Sequence, residues 1–180
     1  MKRKIFISIN LSNRDKKRLV RATEKWQDLP VKWTKEANLH ITLEFMGFVL
    51  DNVVLDICDA VREAASEVEM FDLEFEKIEL GSTKVDPRMI WLSGAASDEL
   101  KNLHEKIQKA LDIFTTSKKA FRPHITLGKI RQHKWQELEN VPAVERDFPM
   151  TIAVESVDVM ASEFEGGGME YAIIESCPLS

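Results

Sequence analysis

Apolar residues recur along the chain with strand-like and helix-like spacing in turn. The segment KIFISIN alternates apolar and polar residues and predicts a first strand. Ser12 precedes a helically spaced segment that runs to about Gln27, and serine is a preferred helix-capping residue. NLHITLEFMG then predicts a strand ending at Gly47, Asp51 begins a second helix, and FDLEFEKIEL predicts a strand that stops at Gly81.

The same order begins again after the turn residues Asp86 and Pro87. RMIWLSG predicts a strand, Ser97 caps a helix, and FRPHITLGKI predicts another strand. KWQELEN is a short helical segment, TIAVESVDVM a strand, and MEYAIIES a closing strand after a glycine run. We therefore expect one domain over 1–180, built from two pseudo-symmetric repeats of about 1–81 and 88–160 and a closing strand at about 169–176.

The repeat is literal at one point, because residues 40–43 and 124–127 both read HITL. Side chains two residues apart on a strand share a face. His40 and Thr42 therefore project together, as do His124 and Thr126, while the intervening apolar residues point into the core. If two lobes present these faces across a cleft, two imidazoles and two hydroxyls surround one point.

Such an arrangement suits a phosphodiester. In-line displacement at phosphorus needs one group to take a proton from the attacking water and another to protonate the departing oxygen. Histidine titrates near neutrality and serves either purpose. The threonine hydroxyls can donate hydrogen bonds to the non-bridging oxygens as charge develops. The residues alone leave open which histidine is the acid and which is the base.

Other chemistries find less support in the sequence. Two histidines can ligate zinc, but a catalytic site usually has a third protein ligand, and only Glu44 is placed near His40 to provide one. His104, on a predicted helix among charged neighbours, and His133, outside the strand, are interpreted as surface residues. The chain contains no GxxxxGK loop and no GxGxxG after a strand, so we expect phosphate chemistry without ATP.

Net charge and cysteine content limit the kinds of partner and the cellular environment that we expect for this protein. A net charge of -5 argues against a protein that coats long nucleic acid, but it allows a local site for an RNA end. Two cysteines without a CxxC pair suggest reduced thiols in a cytoplasmic protein. We interpret the N-terminal segment as a first strand rather than a signal peptide, the apolar runs are too short for a membrane span, and a monomer is the default expectation. One basic run without acidic residues surrounds the second motif: Lys118, Lys119, Arg122, Lys129, Arg131 and Lys134.

NLHITLEFMG and RPHITLGKI resemble the paired His-x-Thr motifs of the 2H phosphoesterases. More narrowly, the chain is similar to the RNA 2',3'-cyclic phosphodiesterases, also called 2'-5' RNA ligases or LigT-like proteins. The likeness covers nearly the whole length, although the closing turn GGGMEY lacks the proline typical of the family. The resemblance implies an α+β fold with two lobes of antiparallel sheet, flanked by helices, around a central cleft that the motifs line.

The resemblance also implies an activity and roles for individual residues. It implies cofactor-free and metal-independent opening of an RNA-terminal 2',3'-cyclic phosphate to leave a 2'-phosphate. His40 would be the general acid for the 3' oxygen and His124 the general base for water, with Thr42 and Thr126 holding the phosphate. Arg122 would be a further phosphate contact and Phe45 a wall for the terminal base.

Three alternatives to this hydrolysis stay open at this point. The same site could join RNA ends through a 2'-5' linkage without ATP, in the reverse direction. A catalytically idle module could bind an RNA end or nucleotide without turning it over. A small cyclic phosphate, such as a sugar or mononucleotide derivative, could be the substrate in place of RNA.

Overall fold

The structure is a computed structural model that describes residues 1–83, 85–112 and 123–180. In those ranges the chain forms nine strands, four α-helices and two 3₁₀ turns. The strands are β1 Lys2–Asn10, β2 Val31–Trp33, β3 His40–Leu50, β4 Phe71–Gly81, β5 Met89–Gly94, β6 His124–Ile130, β7 Glu145–Val154, β8 Ser156–Glu165 and β9 Gly168–Pro178. The helices are α1 Asn13–Thr23, α2 Asp51–Ser66, α3 Asp98–Ala110 and α4 Gln132–Gln136, and the 3₁₀ turns are Glu24–Trp26 and Glu36–Asn38.

The predicted helix starts are confirmed at both capping serines. The hydroxyl of Ser12 accepts the amide of Asp15 at 3.1 Å, and that of Ser97 accepts the amide of Leu100 at 3.1 Å. Each serine thus satisfies one of the amides that a helix start leaves without a helical partner. No helix in the described ranges is both long and apolar enough to cross a membrane.

The strands form one antiparallel sheet in the order β7-β4-β5-β6-β3-β1-β8-β9, with β2 paired to β6. Helix α2 packs against β3, β8 and β9, and α3 packs against α2. The predicted combination of antiparallel strands with flanking helices is therefore confirmed. Two four-stranded halves, β3-β1-β8-β9 and β6-β5-β4-β7, meet where β3 lies beside β6.

The two halves of the sheet do not coincide with the two predicted repeats. β4, from the first repeat, lies in the half that contains β5 and β6, and β8, from the second repeat, lies in the half that contains β1 and β3. β4 follows β3 in the chain but pairs with β5 and β7, whereas β8 pairs with β1. A single residue, Glu155, separates β7 from β8, although they lie near opposite edges of the sheet. The sheet must therefore be strongly curved, because two residues of chain span only about 7 Å. The continuous strand predicted for TIAVESVDVM is wrong, since the chain changes halves at this residue.

Strand alternation separates a core face from a second face. On β1, Ile5, Ile7 and Ile9 are buried in the hydrophobic core, and Ile90 and Leu92 on β5 occupy the same core. Side chains at the intervening positions point to the other face of the sheet. That second face carries the predicted catalytic residues.

Candidate functional site

The two HITL segments cross at one residue pair. Ile41 of β3 lies opposite Ile125 of β6, and both are fully buried. The histidine and threonine on either side of each isoleucine project to the opposite face, and all four of these side chains are partly buried. Antiparallel register sets each histidine beside the threonine of the other strand. We call this face of the sheet, which carries His40, Thr42, His124 and Thr126, the site face.

A β-bulge follows each His-x-Thr pair. The registers of β3 with β1 and of β6 with β5 each skip the leucine of the HITL segment, Leu43 and Leu127. The Leu43 carbonyl accepts a hydrogen bond from the buried imidazole of His104, and the Leu127 carbonyl accepts the amide of Thr34 at 2.9 Å. A bulge reverses which face the following residues point to. Both bulges therefore have an outside donor that stabilises them next to the site.

The ring of His40 is held at both nitrogens. Nδ1 lies 2.7 Å from the main-chain oxygen of Asn38, and Nε2 lies 2.8 Å from the hydroxyl oxygen of Thr42. A carbonyl oxygen only accepts, so Nδ1 carries the proton and neutral His40 has its lone pair on Nε2. In that state the Thr42 hydroxyl donates to Nε2, and in the imidazolium state Nε2 becomes a donor.

Burial lowers the pKa of His40 from its usual value. The hydrogen bond to the Asn38 carbonyl opposes this effect, whereas the charges of Lys16 and His124 lower the pKa further. The pairing of Ile41 with Ile125 sets His124 two residues along β6 from the residue opposite His40, so the charge of one ring acts on the other. Neutral His40 is therefore favoured in the free protein, and an anion bound between the rings would favour its protonated form.

Aromatic residues of the site face support both imidazoles. The ring of Phe6 lies 5.1 Å from that of His40, and Tyr171 meets His40 edge-on at 5.4 Å. The ring of Trp91 lies 4.7 Å from that of His124. None of these three aromatic residues is among the site residues predicted from the sequence. A signal was present, because Phe6 and Trp91 occupy positions that alternate with core isoleucines and leucines and should therefore be polar if the face were only solvated.

The two halves repeat a polar arrangement behind the histidines. Asn10 lies opposite His40, and its side-chain amide donates to the buried carboxylate of Asp158. In the other half Ser93 lies opposite His124, and its hydroxyl donates to the carboxylate of Glu79 at 3.1 Å. β3 and β6 are thus each paired with a strand whose neutral polar residue, Asn10 or Ser93, is held by a carboxylate, and this restricts the positions available to the two strands.

Phe45 lies on the site face, as its predicted role requires. The bulge at Leu43 returns Phe45 to the face of Thr42, where it lies opposite Phe6, with the two rings 6.2 Å apart. Its side chain is 55% exposed, so it is available to a ligand and is not a core residue. Arg122, the other predicted binding residue, lies outside the described residues, as do Lys118 and Lys119 of the basic run.

The interpretation of His104 as a surface residue is wrong. His104 is 6% exposed, and its Nε2 lies 3.7 Å from a carboxylate oxygen of Glu44, which is also buried. Burial lowers the pKa of His104. His133 is exposed on α4, as expected.

The β-bulge at Leu43 also decides where Glu44 points, and Glu44 is the residue that the zinc alternative needs as a ligand beside His40. Glu44 lies opposite Ile7, on the core face, and therefore points away from His40. The sheet therefore does not bring His40 and Glu44 together as two ligands of one metal ion. Across 1–83, 85–112 and 123–180, no three His, Cys, Asp or Glu side chains form a group that could hold a metal ion.

Comparisons with known proteins identify the family to which the chain belongs. A sequence model of the 2'-5' RNA ligase superfamily matches residues 16–163. A Thermotoga maritima protein named RNA 2',3'-cyclic phosphodiesterase is 27% identical over 179 residues, which cover 96% of this chain and 93% of that protein. A Bacillus subtilis protein of the same name is 29% identical over 137 residues, which cover 74% of this chain and 69% of that protein.

Solved structures show the same fold. A crystal structure of the Thermus thermophilus protein TT0787 superposes with a TM-score of 0.84 at 20% identity, covering 98% of this chain and 97% of that one. Escherichia coli LigT in complex with 3'-AMP superposes with a TM-score of 0.77 at 21% identity, covering 100% of this chain and 99% of that one. These similarities confirm the predicted LigT-like architecture.

Proposed function

Because the chain belongs to the 2'-5' RNA ligase superfamily, we propose that it hydrolyses RNA-terminal 2',3'-cyclic phosphate to a 2'-phosphate. The relatives from Thermotoga maritima and Bacillus subtilis are both named for this phosphodiesterase activity. The observation that carries the proposal is the crossing of the two HITL strands at Ile41 and Ile125. It sets both histidines and both threonines on one accessible face, which is the arrangement that acid and base catalysis at one phosphorus needs.

The reaction we propose is an in-line displacement. Water attacks phosphorus opposite the 3' oxygen, a new P–O bond forms, and the bond from phosphorus to the 3' oxygen breaks. His124 accepts the proton that the water loses, and the imidazolium of His40 gives its Nε2 proton to the departing 3' oxygen. The phosphoryl group stays on the 2' oxygen, and proton exchange with solvent then restores both histidines. Acid and base catalysis together account for both proton transfers, so the proposal requires no metal.

The contacts of His40 suit the role of acid. The Asn38 carbonyl fixes the ring through Nδ1 and leaves Nε2 directed towards Thr42. A bound phosphate would oppose the effect of burial and raise the pKa of His40, so that the proton is available once substrate is present. When Nε2 is protonated, the Thr42 hydroxyl no longer needs to donate to it and can turn its hydrogen towards a phosphate oxygen.

Further roles in binding are proposed for three residues. Thr126 occupies the position of Thr42 in the second strand and would bind another non-bridging oxygen. Phe45 would stack on the terminal base, since its ring is exposed beside the site. The role of Arg122 as an additional phosphate contact rests on the family resemblance.

Ligation in the same site is not favoured. The name of the superfamily refers to it, but the relatives with the greatest coverage are named for hydrolysis. Ligation also requires a 5'-hydroxyl to attack in place of water. Because water is present in large excess, hydrolysis is the favoured reaction.

The test uses an oligoribonucleotide that ends in a 2',3'-cyclic phosphate. The wild type should convert it to a product whose phosphoryl group remains on the 2' oxygen, as phosphorus NMR can show. His40→Ala and His124→Ala should each lower kcat about a hundred- to ten-thousandfold, because each loses one proton-transfer group. His133→Ala, which changes an exposed histidine on α4, is the matched control and should keep full activity. Full activity of either site variant, with an unchanged circular dichroism spectrum, would refute the mechanism.

A further inference from the structure

The site face continues along β3 well beyond the catalytic residues. Phe45, Phe48 and Leu50 follow Thr42 on this strand, and Lys4 and Lys2 of β1 lie opposite the last two. We call these five residues, Phe45, Phe48, Leu50, Lys2 and Lys4, the aromatic track. They begin at the wall proposed for the terminal base and lead away from the histidines.

Two β-bulges, at Leu43 and at Met46, place the side chains of the track on the face that carries Thr42. Phe45 and Phe48 are three residues apart, so a regular strand would point them to opposite faces. The register of β3 with β1 skips Met46, next to Gly47, whose φ of +72° is in the left-handed region that favours glycine. Phe48 therefore returns to the face of Phe45, and Lys4 lies opposite it. The sequence thus includes a conformational feature that keeps the aromatic residues in one row.

The track is exposed and basic. Phe48 is 73% exposed and Leu50 is 49% exposed, and Lys2 and Lys4 are also exposed. Within the described ranges, neither lysine lies within ion-pair distance of an acidic group. Arg3, between them on the other face, instead pairs with Asp51 at 3.2 Å. If these residues only formed an apolar surface that another protein covers, we would not expect two lysines without ion-pair partners beside the aromatic rings.

Exposed aromatic rings with lysines on the neighbouring strand match the chemistry of single-stranded RNA. Bases stack on exposed rings, and lysines bind the phosphates that connect them. The partners of Thr42 and Phe48 on β1, Ser8 and Lys4, are four residues apart, so at about 3.3 Å per residue Phe48 lies about 13 Å from Thr42 along the sheet. The track is therefore long enough for more than the terminal nucleotide, and it is continuous with the phosphate site.

We propose that the aromatic track binds the nucleotides that precede the cyclic phosphate, so that the substrate is an oligoribonucleotide and not a mononucleotide. The proposal rests on the proposed function for the identity of the terminal group. Phe48 would stack on a base upstream of the one on Phe45, and Lys4 would contact the intervening backbone phosphate. The track selects single strands, because paired bases could not reach the rings.

The experiment compares two substrates in three variants. Cleavage of an oligoribonucleotide and of a mononucleotide, each ending in a 2',3'-cyclic phosphate, is measured for wild type, Phe48→Ala, Lys4→Gln and the control Leu55→Ala. Leu55 is 74% exposed on α2, so its loss removes exposed apolar surface away from the track. We expect Phe48→Ala to lower kcat/KM about tenfold for the oligonucleotide and not for the mononucleotide. Lys4→Gln should weaken oligonucleotide cleavage and reduce its dependence on salt.

The outcomes separate this proposal from the proposed function. Equal kcat/KM for both substrates in the wild type, or unchanged oligonucleotide cleavage in Phe48→Ala, overturns the track while hydrolysis stands. If neither substrate is cleaved, the proposed function fails, and fluorescence anisotropy of a labelled oligoribonucleotide then tests the track alone: wild type should bind, and Phe48→Ala should bind about tenfold more weakly. If sedimentation shows that Phe48→Ala only dissociates a dimer, with RNA binding unchanged, the track is a protein interface and the proposal is wrong.

Discussion

Ile41 and Ile125 lie opposite each other at the crossing of β3 and β6, and both are fully buried. The pair belongs to the core, yet it fixes the geometry of the proposed site, because each isoleucine is flanked by the histidine and threonine of its own strand. His40 and His124 are 84 residues apart in the sequence, and the pairing of Ile41 with Ile125 brings them to one face of the sheet. Core stability and site geometry therefore depend on the same contact.

The first prediction concerns the titration of His40. In the free protein its imidazole should titrate with a pKa below the usual value of 6.5, because burial and His124 both disfavour the charge. NMR of the ring should show this, and His124→Ala should raise the pKa. Binding of a nucleoside 2'-phosphate, the product, should raise it in the wild type, since the phosphate stabilises the imidazolium. A pKa of His40 that does not change when the phosphate binds would argue against contact with the ligand.

The second prediction concerns the threonine hydroxyls. Thr42→Val and Thr126→Val remove a hydrogen-bond donor while keeping the shape of the side chain. Each should lower kcat about a hundredfold, as loss of one donor to a developing negative charge does in other enzymes, with little change in KM. Thr151→Val is the matched control, because Thr151 lies on β7 and donates to Glu74. An unchanged kcat in both site variants would exclude the hydroxyls from binding the transition state.

The third prediction concerns His104 and the bulge at Leu43. His104→Ala removes the imidazole that donates to the Leu43 carbonyl and leaves Glu44 buried without it. The free energy of unfolding should fall by about 1–3 kcal/mol, the usual effect of leaving a buried polar group without its hydrogen bond. Because the bulge directs Phe45 and Thr42 to one face, kcat should fall as well. Urea unfolding and kinetics on the same preparation measure both, with His133→Ala as control.

The free energy of unfolding should also depend on pH through His104 and His40. Burial lowers the pKa values of His40 and His104 in the folded state, so the unfolded chain binds more protons than the folded one just below pH 6.5. The free energy of unfolding should therefore be highest above about pH 6.5 and decrease as the pH falls through that value towards the lowered pKa values. His104→Gln should reduce this pH dependence. Stability that increases on acidification over that range would contradict the assignment.

Sequence periodicity predicted the meeting of the two HITL motifs better than it predicted their neighbours. The literal repeat singled out His40 and His124 because equal motifs at equal positions imply equal environments, and the pairing of Ile41 with Ile125 brings the two motifs together. His104 was misplaced because its charged neighbours were weighed above its spacing, although it lies four residues after Leu100 and three before Ile107, on the buried side of α3. Helical spacing, and not the adjacent residues, decides burial.

Strand pairing across the sheet could not be predicted in the same way. FDLEFEKIEL alternates regularly, which indicates a strand but not its partner, and β4 pairs in the half of the sheet where β5 and β7 lie. The aromatic support of the two histidines depends on those partners. Trp91 reaches His124 because β5 lies beside β6, and Tyr171 reaches His40 because β9 closes the other half. Such contacts follow from topology and not from local pattern.

A further prediction is that a chelator has no effect on turnover. Two histidines that serve as acid and base supply both proton transfers, so prolonged dialysis against EDTA should leave kcat for the cyclic substrate unchanged. Adding Zn²⁺ should not stimulate the dialysed protein, and it should inhibit if the metal binds the site imidazoles in place of the phosphate. Loss of activity on dialysis, restored by one metal, would require a different mechanism.

The last prediction separates the acid from the base. A nucleoside 4-nitrophenyl phosphodiester has a leaving group that departs without a proton, whereas the 3' oxygen of the cyclic phosphate needs one. If His40 is the acid, His40→Ala should lose much less activity on the nitrophenyl ester than on the cyclic phosphate. His124→Ala should lose activity to a similar extent on both substrates, because both need an activated water. The opposite pattern would exchange the two roles while keeping the site, and equal losses on both substrates for both variants would show that neither ring protonates the leaving oxygen.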